Sequence, residues 1–186
     1  MVTGLHTKTE ESDLIKASVK GDQAAFSEIV NRYQGMVART VKGMLGDSVF
    51  SEDIGQEVFV KLYYSLQDFR GEAKLSTYIQ RIAVNLTLNE IKRRKRFLTT
   101  FTHSGDDEMH EIDLPDSDGE ERKDAREIVE KALAKMEPKF RVVLIMRMLQ
   151  GYSTKETAEV LDLPLGTVLS RLARAQEQFK KIVQKL

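Results

Sequence analysis

The chain has 186 residues, enough for one medium domain or two small ones, and 41% of them are apolar, enough to build globular cores. It has no cysteine, which excludes disulfide scaffolds and thiolate sites, and no apolar run approaches the length of a membrane span. Lys and Arg balance Asp and Glu at 29 each, so the formal charge is zero, yet the charges are unevenly mixed along the chain.

The N-terminal stretch "MVTGLHTKTEES" lacks the apolar block of a signal peptide, so a soluble cytoplasmic protein without membrane insertion is the expectation. Helices follow. "DLIKASVKG" closes at Gly21, and "DQAAFSEIVNRYQGMVARTVKGMLG" carries Phe26, Ile29, Val30 and Tyr33 at helical spacing. In "SEDIGQEVFVKLYYSL", Ile54, Val58, Leu62 and Leu66 recur every four residues. "STYIQRIAVNLTLNEIKRRKRF" packs through Ile79, Ile82, Ala83 and Leu86. No alternating apolar and polar run suggests a strand, so residues 10 to 97 or so read as a small helical bundle.

That last helix poses a question. Asn costs a helix roughly half a kcal/mol relative to Ala, because its amide competes for backbone hydrogen bonds. Asn85 and Asn89 are nevertheless four residues apart inside it, stacked on one face, and five consecutive cations follow, Lys92 to Arg96. Lys92 and Arg96 continue the stripe of the two amides. An exposed amide offers a donor and an acceptor to a base edge, while cations grip phosphate. Favourable charge at a helix C-terminus is the plainer reading of cations there, but five in a row exceed what that effect needs.

From Gly105 to Asp124 the chain is acidic, with Asp106, Asp107, Glu108, Glu111, Asp113, Asp116, Asp118, Glu120, Glu121 and Asp124 opposed only by Arg122 and Lys123. It holds few apolar residues, and Pro115 and Gly119 punctuate it. Such a segment cannot bury enough surface to offset its ordering entropy, so it reads as a flexible tether.

A second helical unit follows. "AREIVEKALAKM" is one helix, and Pro138 starts another that Gly151 ends. "STKETAEVLD" opens with a capping box, Ser153 with Glu156. A short turn, "DLPLG", leads into a last helix whose Val168, Leu172, Ala175 and Phe179 form one apolar stripe. Helix, short turn, helix is the geometry that sets a recognition helix into the major groove. Ala158 is small enough for the two helices to approach closely, and Leu161 and Leu163 can fill the corner. Thr167, Ser170, Arg171 and Arg174 share a face beside the apolar stripe, and Arg reads guanine bidentately. A helical hairpin with ordinary solvated arginines is the plainer alternative.

An enzyme is disfavoured. His6, His103 and His110 all lie in the tail or the acidic segment, and no metal-ligand spacing, nucleophile elbow or phosphate loop occurs. Neither a cofactor nor a metal is expected.

Three stretches in order, "GDQAAFSEIVNRYQGMVARTVKGMLGDSVFSEDIGQEVFVKLY", "SLQDFRGEAKLSTYIQRIAVNLTLNEIKRRKR" and "PLGTVLSRLARAQEQF", resemble bacterial RNA-polymerase sigma factors. The compact length, two regions and a linker, is similar to the extracytoplasmic-function (ECF) group of the sigma-70 family. The resemblance covers nearly the whole chain. It implies an all-α fold of two small helical domains joined by a flexible acidic linker, the second containing a helix-turn-helix. Residues 1–97 would be sigma region 2, 98–124 the linker and 125–186 sigma region 4. The function implied is binding core RNA polymerase, melting the minus-10 promoter element and reading the minus-35 duplex.

Carried over by residue, "EDIGQEVFVKLY" matches the core-binding helix, implicating Asp53, Gln56, Glu57 and Lys61. "FRGEAKLST" matches the loop that captures a flipped minus-10 base, implicating Phe69, Arg70, Gly71, Lys74 and Ser76. Tyr78 flanks the same candidate pocket, with core packing as the plainer role. "RIAVNLTLN" and the cations after it match the minus-10 reader, implicating Asn85, Asn89, Lys92, Arg93 and Arg96. "GTVLSRLAR" matches the minus-35 reader, implicating Thr167, Ser170, Arg171 and Arg174. Leu169 departs from the family, which commonly carries Arg or Lys there, so the minus-35 sequence read by this chain is open. The partners implied are core RNA polymerase, promoter DNA as duplex and as single strand, and an anti-sigma protein as a candidate. The resemblance also suggests that the acidic linker threads the polymerase and mimics nucleic acid there, although it could instead screen basic surfaces of the free protein. The competing reading is a helix-turn-helix regulator that binds duplex operators without polymerase. Such a regulator would need a ligand or phosphoacceptor domain, and the first half resembles neither.

Overall fold

The computed structural model describes residues 10–46, 49–101 and 120–186, with side chains for 10–46, 50–97 and 125–186. Among the described residues there are eight α-helices and no strand. The first four, α1 (Glu11–Val19), α2 (Gln23–Leu45), α3 (Val49–Ser65) and α4 (Leu75–Phe101), form one bundle with α2 against the other three. Local chemistry sets their ends. Asp22 caps α2, its Oδ1 accepting from the amides of Ala24 at 2.9 Å and Ala25 at 3.1 Å. Gly46 ends α2 at φ 79°, a left-handed conformation costly for any residue with a Cβ.

The stripe Ile54, Val58, Leu62 and Leu66 is buried as its four-residue period requires, and so are Ile79, Ile82, Ala83 and Leu86 of α4. Of the four residues picked out on α2, Ile29 is fully buried and Phe26, Val30 and Tyr33 are half-buried. The Tyr33 hydroxyl donates to the Glu11 carboxylate and ties α1 to α2.

The second unit holds α5 (Glu120–Ala134), α6 (Pro138–Leu144), α7 (Thr154–Leu161) and α8 (Leu165–Val183). α4 runs four residues into the expected 98–124 linker and α5 begins five residues before its end. Residues 102–119, with most of the acidic run, lie outside the described residues, as do His6, His103 and His110. Pro138 stands at the start of α6, where its missing N–H costs nothing. Between α6 and Gly151 the helix widens into a π turn at Ile145–Leu149. There the Gln150 amide reaches back five residues to the Ile145 carbonyl at 3.0 Å. The Ser153–Glu156 capping box opens α7: the Glu156 amide donates to Ser153 Oγ at 3.1 Å, and the Ser153 amide to Glu156 Oε2 at 2.8 Å. Asp162, at φ 51°, ends α7 and starts the turn into α8. Val168 and Ala175 are fully buried on α8, with Leu172 and Phe179 beside them.

The two units pack together. The apolar cluster of the second unit takes in Met44 of α2 and Val84 of α4, with Leu88 and Ile91 packed against it. α4 therefore carries two apolar stripes, one for each unit. Gly43 eases the approach: a Cβ there would lie 3.1 Å from Ile145 Cδ1, close enough that the Ile145 side chain would have to give way by a few tenths of an ångström. Polar groups join across the same seam. Gln80 is fully buried and donates to Thr40 Oγ1 at 2.5 Å and to Gln150 Oε1 at 3.1 Å, while Gln150 donates to Thr40 Oγ1 at 2.8 Å. Arg141 donates to the Met44 carbonyl at 2.6 Å, in the last turn of α2, and to the carbonyls of Ala134, the last residue of α5, and of Met136 just beyond it. Burial pulls its pKa down to about 10, which leaves the guanidinium charged at neutral pH.

Candidate nucleic-acid interface

The helical repeat puts Tyr78, Arg81, Asn85, Asn89, Lys92 and Arg96 along one side of α4. Asn85, Asn89, Lys92 and Arg96 are exposed, so the two amides stand apart from the core stripe. At the N-terminal end of this row the rings of Phe69 and Tyr78 lie 5.2 Å apart at 50°, both partly buried against the first core. Tyr78 therefore packs and borders the row at once. Gly71, at φ 73°, turns the loop before α4 and leaves Arg70 and Lys74 exposed, with Ser76 half-buried on the first turn.

The cation block is not uniform. Glu90, only 8% exposed, receives the Arg93 guanidinium at 2.7 and 2.8 Å and Arg94 Nε at 2.8 Å. Hydrogen bonds from Arg93 first, and then from Arg94, hold its carboxyl at about 2. Arg94 also stacks over the Phe50 ring, 4.2 Å from the centroid, bracing α4 against α3. Arg94 is thus a brace, and Arg93 is an exposed cation already shared with a carboxylate. The spacing of Glu90 with positions three and four residues on was a readable signal for this clamp.

On α3, Asp53, Gln56, Glu57 and Lys61 are exposed beside the buried stripe. Val60 and Tyr64 fall on the same face and were missed in the sequence. They are exposed, Tyr64 at 71%, and the Tyr63 ring meets Tyr64 edge-on at 5.6 Å and Phe26 at 5.0 Å. An acidic edge around exposed apolar side chains is the composition of a protein interface. Val60 stands three residues after Glu57 and seven after Asp53, and Tyr64 seven after Glu57, and that helical spacing was the available signal.

On α8, Ser170 and Arg174 are exposed, and Thr167 and Arg171 are half-buried. Ser170 Oγ donates to the Thr167 carbonyl at 3.0 Å. Leu169 is exposed on the same helix. The two candidate DNA faces are not separate surfaces. Asn85 and Lys92 of α4 and Arg171 of α8 line one groove of about 360 Å³, together with Lys139, Leu161 and Leu163. Leu161 and Leu163, expected to fill the helix-turn-helix corner, also face the first unit there.

Among the described residues no group of His, Cys, Asp and Glu could hold a metal ion, and no helix is long and apolar enough to cross a membrane.

Comparison with known proteins agrees with both halves of this arrangement. Residues 29–97 match the model for Sigma-70 region 2, and residues 126–178 match that for Sigma-70, region 4. The chain is 31% identical to the ECF RNA polymerase sigma factor SigW of Bacillus subtilis (strain 168), over 92% of this chain and 96% of that one. Its fold is similar to that of CnrH solved in complex with the cytosolic domain of CnrY, with a TM-score of 0.67 at 22% identity over 94% of this chain and 97% of that one. It is also similar to that of the sigma factor RpoE solved with the anti-sigma factor NepR from Bartonella quintana. There the TM-score is 0.66 at 17% identity, over 86% of this chain and 96% of that one.

Proposed function

The chain belongs to the sigma-70 family, in its ECF group, and from that premise we propose how it directs promoter-specific initiation by core RNA polymerase. The α3 face binds the polymerase: Val60 and Tyr64 are the apolar anchors, and Asp53, Gln56, Glu57 and Lys61 are the charged and polar rim. The α4 face takes the non-template strand of the minus-10 element after its bases unpair. Asn85 and Asn89 pair with exposed base edges, and Lys92 and Arg96 hold the adjoining backbone. Phe69, Arg70, Gly71, Lys74, Ser76 and Tyr78 surround a flipped base at the end of the row, where an aromatic surface replaces lost stacking. Arg171 and Arg174 read the minus-35 duplex from the major groove, with Thr167 and Ser170 beside them. The partners are core RNA polymerase and promoter DNA, with an anti-sigma protein as a candidate regulator. The protein acts in initiation as a binding factor, in the cytoplasm, and uses no catalytic residue of its own.

The observation that carries this reading is the exposed row of amides and cations on α4 beside an aromatic pair. A regulator that binds only duplex operators has no use for that row or for the α3 face. The test is run-off transcription with core polymerase on a fragmented genomic library, with the products sequenced. Discrete start sites that appear only with the protein, and share two upstream elements, are expected. Starts that are unchanged by adding the protein would refute the function.

A further inference from the structure

We infer that Leu169 is itself a base reader: its side chain covers the C5-methyl of a thymine in the minus-35 duplex, beside the hydrogen-bonding contacts of Ser170. This rests on the function proposed above and names the kind of base pair that its duplex reader takes. Val168 and Ala175 are buried on α8 and fix its inward side. At about 100° per residue, the outward side is then divided lengthwise. Ser170 stands near its centre, Thr167, Arg171 and Arg174 on one flank, and Leu165, Leu169 and Ala173 on the other. The apolar flank is open to solvent, with Leu169 at 52% exposure. A recognition helix contacts base edges through its N-terminal residues, and Leu169 is the fifth residue of α8.

A single exposed leucine needs no explanation on an ordinary surface. This one borders a row of hydrogen-bonding side chains and meets whatever they meet. In the major groove thymine presents an apolar group, its C5-methyl, where the other bases present donors and acceptors alone. Duplex DNA thus offers Leu169 one favourable partner. Ser170 fits the same base pair. Its Oγ donates to the Thr167 carbonyl at 3.0 Å, so what it offers outward is an acceptor. The N6 amine of adenine, across the pair from thymine, is the matching donor. An acceptor beside an apolar group is the complement of an A·T pair. Cytosine also carries an amine, but no methyl stands next to it. The Arg or Lys that the family commonly carries at this position would grip phosphate or guanine. Leu169 can do neither, so the departure changes which base pair is preferred.

Removing one methyl at a time provides the test. Holoenzyme is formed from core polymerase and the full chain, on a promoter taken from the run-off transcripts. Each thymine of its minus-35 element, on either strand, is replaced in turn by deoxyuridine, which lacks only the C5-methyl. Affinity is read by competition against the fluorescein-labelled parent promoter, so the minus-10 contribution cancels. At one position the parent holoenzyme should bind the uracil version about fourfold more weakly, the worth of one methyl buried against an apolar side chain. Leu169→Ala should bind the thymine and uracil versions alike, and Leu169→Met, which keeps a long apolar side chain, should retain the discrimination. Ala and Met are strong helix formers and the position is exposed, so α8 persists in both variants. A parent holoenzyme indifferent to uracil at every thymine would overturn the inference, as would a minus-35 element with no thymine on either strand. So would a Leu169→Ala variant that discriminates as the parent does. Absence of specific initiation refutes the function proposed above and this inference with it, whereas specific initiation without a methyl effect refutes this inference alone.

Discussion

At the scale of single residues, Asn85 and Asn89 are expensive in a helix and exposed on it, so their reason for being there lies outside the fold. Replacing either with Ala should leave thermal stability and polymerase binding unchanged, or raise stability by a few tenths of a kcal/mol. Both replacements should slow promoter opening and relax sequence preference at the minus-10 element. Permanganate footprinting on linear promoters checks this, and melting at the parental rate with the same preference would show that the amides read no base. Glu90 makes the opposite case, a residue whose work is internal. Its carboxyl sits at about 2 in the folded chain, below the roughly 4.3 of an unperturbed Glu. A depressed folded value means stability that is complete above the unfolded pKa and lost as pH falls through the folded one. Glu90→Gln should therefore cost about 2 kcal/mol at neutral pH, discounted for the exposure of Arg93. The difference from the parent should shrink between about pH 5 and pH 2. Urea unfolding of both proteins across that range measures it, and a pH-independent difference would mean the charge pairing contributes nothing.

At the scale of elements, α3 separates cleanly into a buried and an exposed half. Glu57→Lys, or Asp53→Arg with Gln56→Arg, changes only the exposed half, so helix content should persist. Reversing charge at a polymerase-facing edge removes an attraction and adds a repulsion, which should cost at least tenfold in affinity. Pull-down of core polymerase together with circular dichroism tests the pair of claims, and an unchanged pull-down would remove α3 from the interface. Such elements were legible in the sequence because their signals are local. The four-residue period fixed the inner face of α3, Asp22 and Gly46 marked the ends of α2, and the Ser153–Glu156 box marked the start of α7. Less legible was the second apolar stripe of α4, Val84, Leu88 and Ile91, which lies beside the first and merges with it in a linear reading. Also hidden was the division of the cation block, where five like charges in a row concealed that two of them answer to Glu90.

At the scale of the whole molecule, the hidden feature is the seam itself. Gln80, Thr40, Gln150 and Gly43 carry no signal in the sequence, because nothing local reveals a partner 40 to 110 residues away. One apolar cluster draws on both units, so calorimetry should show a single unfolding transition, with calorimetric and van't Hoff enthalpies equal. Gly43→Gln should split it into two, and a single transition in that variant would mean the units do not depend on the seam for their cooperativity. The π turn at Ile145–Leu149 bears on the same relationship as a matter of phase. It takes in one residue more than a regular α turn, so everything after it is rotated by about 100° around the helix axis. That rotation aims Gln150 at Thr40 and brings the Tyr152 hydroxyl to Met36 Sδ at 3.2 Å. Removing a single residue from the turn would leave each helix and each core able to form, and would point the second unit's key away from its lock. In this chain the relation between the two halves is written in a count of residues, a quantity that composition and hydrophobicity do not record.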